Sequence, residues 1–288
     1  MQPQPNQSHY QSQLLDIWVR AMDPGGVGMP QAIASEIANY TREPAAVVLD
    51  RMARGKDEFT QRWMQLGVNV TDRAQVEAFY NQQFVEAYEL ADWHAGRTNG
   101  TPPLSYAHAA HVARTRHLKA ALDFGSGIGT GALCLLDAGC DVDCADIATD
   151  LLRFVEHRVT SRGRQVHPIA LTDGETPRVA HYDLITCFDV LEHVVDPKAK
   201  LVELGSYLRP GGHLFVNLMP DSSDADRPMH ISSAPDWLAW IRATSLVPDW
   251  PLFYYGSGAA VQVFVKSPFG KLRNWVASLI DAWQQRQR

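Results

Sequence analysis

The chain has 288 residues, 45% hydrophobic and 20% charged, which matches an ordinary folded protein and argues against disorder. Its 26 Lys and Arg against 32 Asp and Glu leave a formal net charge of −6, an acidic balance that argues against a dedicated nucleic-acid binder. No apolar run approaches the roughly 18 residues of a membrane span. The opening Met1-Gln2-Pro3-Gln4-Pro5 lacks the basic start and apolar core of a signal peptide, so a soluble cytoplasmic protein is expected.

Residues 1 to about 12, rich in Gln, Pro and Ser, are expected to fray. From Leu14 to about Trp93 the pattern is helical. Leu14, Leu15, Trp18 and Val19 recur at helical steps, and Val76, Phe79, Tyr80, Phe84 and Tyr88 form an aromatic stripe. Asp23-Pro24-Gly25-Gly26 separates the first two helices, Thr71-Asp72 is a helix start, and Gly96 to Pro103 is a loop. A further helix runs from about Ser105 to His117. On it His108 and His111 lie three apart, without an evident third ligand, which predicts a solvated face or a contact with a ligand carboxylate rather than a metal site.

Beyond residue 118 the character changes. Apolar runs at Ala120 to Phe124, Val142 to Ile147, Val166 to Leu171, Tyr182 to Phe188 and Leu214 to Leu218 alternate with helical stretches such as Leu151 to Val159 and Lys198 to Leu208. Buried strands alternating with crossover helices predict a doubly wound, parallel α/β sheet. Leu252 to Tyr255 and Ala260 to Val265 flank Gly256-Ser257-Gly258 and predict a closing hairpin. Cys134, Cys140, Cys144 and Cys187 lack the paired spacing of a structural zinc site, so buried reduced thiols and no metal are expected. The tail from Phe269 to Arg288 has the pattern of an amphipathic helix, expected to dock on the domain or on a second copy in a homodimer. The chain thus divides into a helical region (1–117), an α/β domain (118–268) and a terminal helix (269–288).

The sharpest signal is Ala120-Ala121-Leu122-Asp123-Phe124-Gly125-Ser126-Gly127-Ile128-Gly129-Thr130-Gly131, an apolar strand running into alternate glycines and then a helix. Such a bend lets backbone approach a ligand closely at a helix N-terminus. In the register Gly127, Gly129, Ala132 it even satisfies the dinucleotide fingerprint, which keeps a nicotinamide-dependent oxidoreductase open as an alternative. Asp123, two residues before the first glycine, would repel a pyrophosphate but suits a ligand bearing an ammonium group. Asp146 closes the second strand, where a carboxylate can accept both hydroxyls of a ribose. Phe188-Asp189-Val190-Leu191-Glu192-His193-Val194 follows the fourth strand, and Leu208-Arg209-Pro210-Gly211-Gly212 precedes the fifth.

This ordered set resembles the class I S-adenosylmethionine-dependent methyltransferases, of the small-molecule type that includes the ubiquinone-biosynthesis O-methyltransferases. The resemblance is strong over about Leu118 to Pro220 and weak onward to Ser267. It implies a Rossmann-like sheet with an antiparallel last strand, S-adenosyl-L-methionine as cofactor, and a small-molecule acceptor with an oxygen or nitrogen nucleophile, in biosynthetic or secondary metabolism. It also implies that Phe124, Gly125, Ser126, Gly127 and Gly129 wrap the methionine part of the cofactor, with Asp123 near its amino group. Asp146 would take the ribose hydroxyls, Ile147 would lie on the adenine, Thr172 and Asp173 would reach its amino group, and Phe188 and Asp189 would line the methionine end. A non-catalytic cofactor-binding partner subunit is the second alternative, because these positions report binding and not turnover.

Methyl transfer to a hydroxyl needs a proton acceptor beside the nucleophile. His193, at the carboxyl edge of the sheet, is the first candidate, with Glu192 to orient it and His230 as the second candidate or a substrate contact. The helical region has no counterpart in a minimal doubly wound fold. It is expected to cap the cofactor and shape the acceptor pocket, with Tyr80, Phe84, Tyr88, Trp93 and His94 near the entrance.

Overall fold

The computed structural model of the chain describes residues 5–81, 84–96, 103–218, 227–232, 236–256 and 259–270. The helical region comprises α1 (Pro5–Met22), α2 (Met29–Thr41), α3 (Ala45–Leu66), α4 (Arg73–Asn81), α5 (Val85–His94) and α6 (Ser105–Thr115). Helix α1 already runs from Pro5, so residues 5–12 of the stretch expected to fray are helical. The tertiary cause is Tyr10, whose hydroxyl lies 2.5 Å from His108 Nδ1 and whose ring packs against Tyr254.

Local chemistry accounts for the breaks. The Asp23 carboxylate accepts from the Val27 and Gly28 N–H groups at 3.0 and 2.7 Å, closing the turn between α1 and α2. Asp72 accepts from Ala74 and Gln75 N–H and so caps α4, as its sequence position suggested. The aromatic stripe is divided between α4 and α5, with Phe84 in the turn before α5. Helix α3 buries Val48, Met52, Gly55, Phe59 and Trp63 at three- and four-residue steps. Gly55 lets α5 cross at close range, since a Cβ there would lie 2.5 Å from the Glu89 backbone nitrogen.

The second part runs β1 (Ala120–Phe124), α7 (Thr130–Asp137), β2 (Asp141–Asp146), α8 (Thr149–Ser161), β3 (His167–Ala170), β4 (Tyr182–Cys187), α9 (Pro197–Tyr207), β5 (Leu208–Val216), α10 (Trp237–Arg242), β6 (Leu246–Pro248), β7 (Tyr254–Gly256) and β8 (Ala259–Lys266). The sheet order is β3-β2-β1-β4-β5-β8-β6, with β7 added on β8. Strands β1 to β5 pair in parallel, and β8 runs antiparallel to β5, β6 and β7. This is the doubly wound sheet with an antiparallel end that the sequence predicts. Its direction of winding reverses between β1 and β4, which opens a crevice at their carboxyl ends. The four cysteines are free and buried.

Strand β5 differs from its expected start at Leu214. Pairing begins at Leu208, and Arg209 to Gly212 form a bulge in which register passes from Tyr182–Leu208 to Leu184–His213, with Gly211 at φ 82. His108 also departs from expectation: it is buried, its Nε2 lies 2.7 Å from the Leu252 carbonyl, and it joins α6 to the closing hairpin rather than facing solvent or a ligand. Of the amphipathic tail, residues 271–288 lie outside the described residues.

The divide near residue 118 is a change of secondary structure and not a break in the core. One buried cluster runs from Leu14, Trp18 and Ile33 through Leu133 and Phe154 to Phe215 and Val263. Polar groups seal the same joint. Arg158 on α8 is fully buried; its Nε donates to Glu36 on α2 at 2.7 Å and its Nη1 donates to the Ile128 carbonyl, inside the glycine bend, at 2.7 Å. Arg162 donates to the other Glu36 oxygen at 2.7 Å. Without Arg158 the Ile128 carbonyl loses its buried donor, while Glu36 keeps Arg162. Arg158→Leu should therefore lower unfolding free energy by about 1–3 kcal/mol, measured by urea denaturation.

Candidate active site

Strand β1 ends in the glycine bend at the crevice. Gly125 and Gly127 have φ of 70 and 49, a region open to glycine. A Cβ at Gly125 would sit 2.2 Å from Val190 Cγ2, and one at Gly127 would sit 2.9 Å from Leu90 Cδ1. The bend is thus roofed by the loop after β4 and by α5 of the helical region. Ser126 is buried in it, its hydroxyl without a hydrogen-bond partner.

Two carboxylates hold the bend. Asp146 Oδ2 accepts from Gly127 N–H at 2.8 Å and Oδ1 accepts from Ala148 N–H at 2.9 Å. Burial raises its pKa, and these backbone bonds oppose the rise. Each oxygen keeps a lone pair for a further donor. Asp123 is more fully committed. Its Oδ2 accepts from Ala132 N–H at 2.9 Å and its Oδ1 from the Thr186 hydroxyl at 2.7 Å, so it caps the start of α7. Burial lifts Asp123 to about 7. Ile147 packs beside Phe59, Tyr80 and Met229. The Thr172 hydroxyl lies 3.4 Å from the Ile147 carbonyl, and Asp173 ends the same short 3-10 turn. Phe188 packs edge-on against Tyr106, and Asp189 (φ 54) exchanges hydrogen bonds with Asn217.

A cavity of about 490 Å³ opens beside the bend. Its walls come from α3, α4 and α5 on one side and from the β4 edge and the Arg227–His230 segment on the other. Tyr80, Trp93, Asp189, Glu192, His193 and His230 line it together. Phe84, Tyr88 and His94 do not. Phe84 packs on Tyr40 and Phe154; Tyr88 donates to Glu43 at 2.6 Å and accepts from Arg51 at 2.7 Å. His94 pairs with Thr130 behind the bend, and burial pushes its pKa to about 3. These three expected entrance residues are core residues instead, because helix packing turned that face of the stripe inward.

His193 Nδ1 lies 2.8 Å from the Tyr80 hydroxyl and 3.0 Å from the Met229 carbonyl. A carbonyl can only accept, which assigns the hydrogen to Nδ1 and leaves the lone pair on Nε2. Tyr80 and Met229, rather than Glu192, orient the ring, and His230 meets it edge-on at 4.9 Å. Burial first, then His230, push the His193 pKa to about 3, so the ring is neutral across the working range. Glu192 moves the opposite way. It is 3% exposed, its Oε2 has no hydrogen-bond partner, and burial with neighbouring Asp189 raises it to about 8. The sequence reading missed Glu86, Glu89 and Leu90, which with Trp93 recur at three- and four-residue steps along the face of α5 that lines the cavity. It also missed Lys56 and Arg227, the cavity's two basic residues.

A family model described as a methyltransferase domain matches residues 104–257. The ubiquinone biosynthesis O-methyltransferase of Idiomarina loihiensis is 32% identical over 103 residues, 35% of this chain and 42% of that protein. That of Methylococcus capsulatus is 30% identical over 131 residues, 41% of this chain and 54% of that protein. The chain therefore spans about half the length of the curated relatives it matches. The structure of an O-methyltransferase family protein from Burkholderia thailandensis superposes with a TM-score of 0.52 at 14% identity, covering 91% of this chain and 96% of that one, a likeness of fold.

The raised Glu192 pKa has a consequence for stability. Between the ordinary carboxylate range and about pH 8 the folded protein keeps this proton while the unfolded chain releases it, so stability falls as pH rises. Glu192→Gln cannot ionise. Its melting temperature relative to the parent should be nearly unchanged at about pH 5 and clearly higher at about pH 8, followed by differential scanning fluorimetry.

Proposed function

The chain belongs to the methyltransferase-domain family, and on that footing we propose that it transfers a methyl group from S-adenosyl-L-methionine to a small acceptor held in the cavity. The observation that carries this reading is the union of a glycine bend, pinned by a strand-end carboxylate, with a cavity walled on one side by the helical region. The cradle fits the cofactor. Its backbone leaves no room for a Cβ, Ser126 offers an unused hydroxyl, and Asp146 retains two lone pairs.

Gly125, Ser126, Gly127 and Gly129 would wrap the methionine portion, with Phe124 closing the strand beneath. Asp146 would accept the ribose hydroxyls, Ile147 would flank the adenine with Thr172 and Asp173 at its edge, and Phe188 and Asp189 would bound the methionine end. Asp123, both oxygens already engaged, would act on the amino group through its charge and through the α7 start it caps. When bound, S-adenosyl-L-methionine supplies a sulfonium methyl for in-line displacement, the carbon–sulfur electron pair staying on sulfur as the acceptor's lone pair forms the new bond. The protein's part is to place the acceptor, exclude water and receive a proton. Tyr80 and Met229 leave His193 Nε2 as the lone pair for that proton, and His230 packs behind the ring.

Asp123 disfavours the nicotinamide-dependent reading, since a dinucleotide would bring a pyrophosphate to the glycine bend beside the α7 start that this carboxyl caps. Asp146→Ala should weaken S-adenosylhomocysteine binding roughly 100-fold, the scale of two charge-assisted hydrogen bonds, by isothermal titration calorimetry. Tight NAD(P)H binding with none of S-adenosylhomocysteine would end the reading. With an acceptor found by a labelled-methyl screen, His193→Ala should lower turnover by roughly 10²-fold while S-adenosylhomocysteine affinity stays within threefold or so. An unchanged rate would remove His193 from the chemistry and leave the cofactor assignment standing.

A further inference from the structure

The charge of the cavity wall does not balance. Six carboxyl side chains line it (Asp57, Glu86, Glu89, Asp92, Asp189 and Glu192) against Lys56 and Arg227. Arg227 bears on Glu89, Asp189 and Glu192, and Lys56 on Glu89. Glu192 is nonetheless 3% exposed with Oε2 unpartnered, and Glu86 Oε2, a buried atom on α5, is unpartnered too. Burying a carboxyl without a donor is unfavourable, so a protein that keeps two of them on one cavity gains most when a ligand brings the donors. The aromatic rings of Phe59, Tyr80 and Trp93 stand in the same wall. Carboxyls interleaved with aromatic faces suit an organic cation, which donates hydrogen bonds to the first and packs on the rings of the second.

We propose that the methyl acceptor is a small organic amine with a separate hydroxyl: its ammonium ion is the anchor, held between Glu192 on the sheet side and Glu86 on the helical side of the cavity, while the hydroxyl oxygen forms the bond to the sulfonium methyl and passes its proton to His193 Nε2. This rests on the methyl-transfer reading and narrows it to a class of acceptor; Glu192, protonated in the empty cavity, releases its proton to solvent as the ammonium docks. A divalent ion on Glu192, His193 and His230, whose donor atoms lie within 4.8 Å of one another, is the competing occupant. Two features favour the amine: a space of about 490 Å³ suits a small organic molecule rather than an ion, and the rings of Phe59, Tyr80 and Trp93 in its wall offer contacts that a bare ion cannot use.

The test uses the full chain saturated with S-adenosylhomocysteine and three probes of one shape and different charge: tyramine, tyrosol and para-hydroxyphenylacetate. Calorimetry should rank them tyramine, tyrosol, para-hydroxyphenylacetate, with tyramine roughly tenfold or more tighter than tyrosol, the scale of one charge-assisted hydrogen bond. Glu192→Gln should bring tyramine to within about threefold of tyrosol, and Glu86→Gln should reduce the preference independently. Should Glu192→Gln not fold, the parental ranking and the Glu86→Gln variant decide. Equal affinities, a preference for the neutral or anionic probe, no tyramine binding at millimolar concentration, or a preference that survives both variants would overturn the proposal. So would tyramine binding that requires added magnesium or zinc and vanishes with a chelator. Failure of S-adenosylhomocysteine to bind before any probe is added would instead strike the methyl-transfer reading itself.

Discussion

One buried carboxylate organises the carboxyl edge of the sheet. Asp146 holds the Gly127 N–H with one oxygen and the Ala148 N–H with the other, so a single side chain fixes both the glycine bend after β1 and the start of the helix after β2. The bend otherwise alternates glycines at positive φ, Gly125, Gly127 and Gly129, with the buried Ser126 and Ile128. Its shape persists because Val190 and Leu90 fill the space that Cβ atoms would occupy, and because Arg158 holds the Ile128 carbonyl from behind. Asp123 and Thr186 complete the support below it. A loop held from four sides can present backbone to a ligand without rearranging, which is what preorganised binding requires.

The helical region is part of this support. Leu90 closes on the bend from α5, Glu36 anchors Arg158 from α2, and Tyr80 holds the His193 ring from α4. A core cluster common to helices and sheet makes these contacts parts of one packed body. The lid of the cavity and the wall of the cofactor cradle are then built from the same helices. Any movement of α5 would alter both the roof over Gly127 and the carboxyls at Glu86 and Glu89.

The electrostatics separate two neighbours in sequence. Glu192 and His193 share one short turn, yet burial pushes the acid's pKa up and the imidazole's down. Both shifts favour the neutral form, so the turn tolerates its desolvation with little net charge. The difference lies in partners: His193 is satisfied on one nitrogen by Tyr80 and Met229, whereas the Glu192 Oε2 is buried without a donor in a residue that lines the cavity. The family's fold does not choose a substrate. That choice belongs to these lining groups.

The sequence alone was sufficient for the strand–helix alternation, the antiparallel close of the sheet, the glycine bend and the acids at Asp123 and Asp146, because each is encoded by residues adjacent in the chain or at strand and helix periodicity. It expected Tyr80 and Trp93 near the entrance of an acceptor pocket, and both line the cavity with His193. Only the tertiary structure decided which aromatics face the cavity: Tyr80 and Trp93 do, while Phe84, Tyr88 and His94 turn into the core, a choice made by how α3, α5 and α8 pack and not by spacing. The same holds for Arg158 and Glu36, separated by 122 positions, and for Glu86 and Glu192, brought to one cavity from opposite parts of the chain. Periodicity says which residues share a face; the partner that buries that face, and so sets its charge state, is fixed by contacts between distant segments that no local pattern contains.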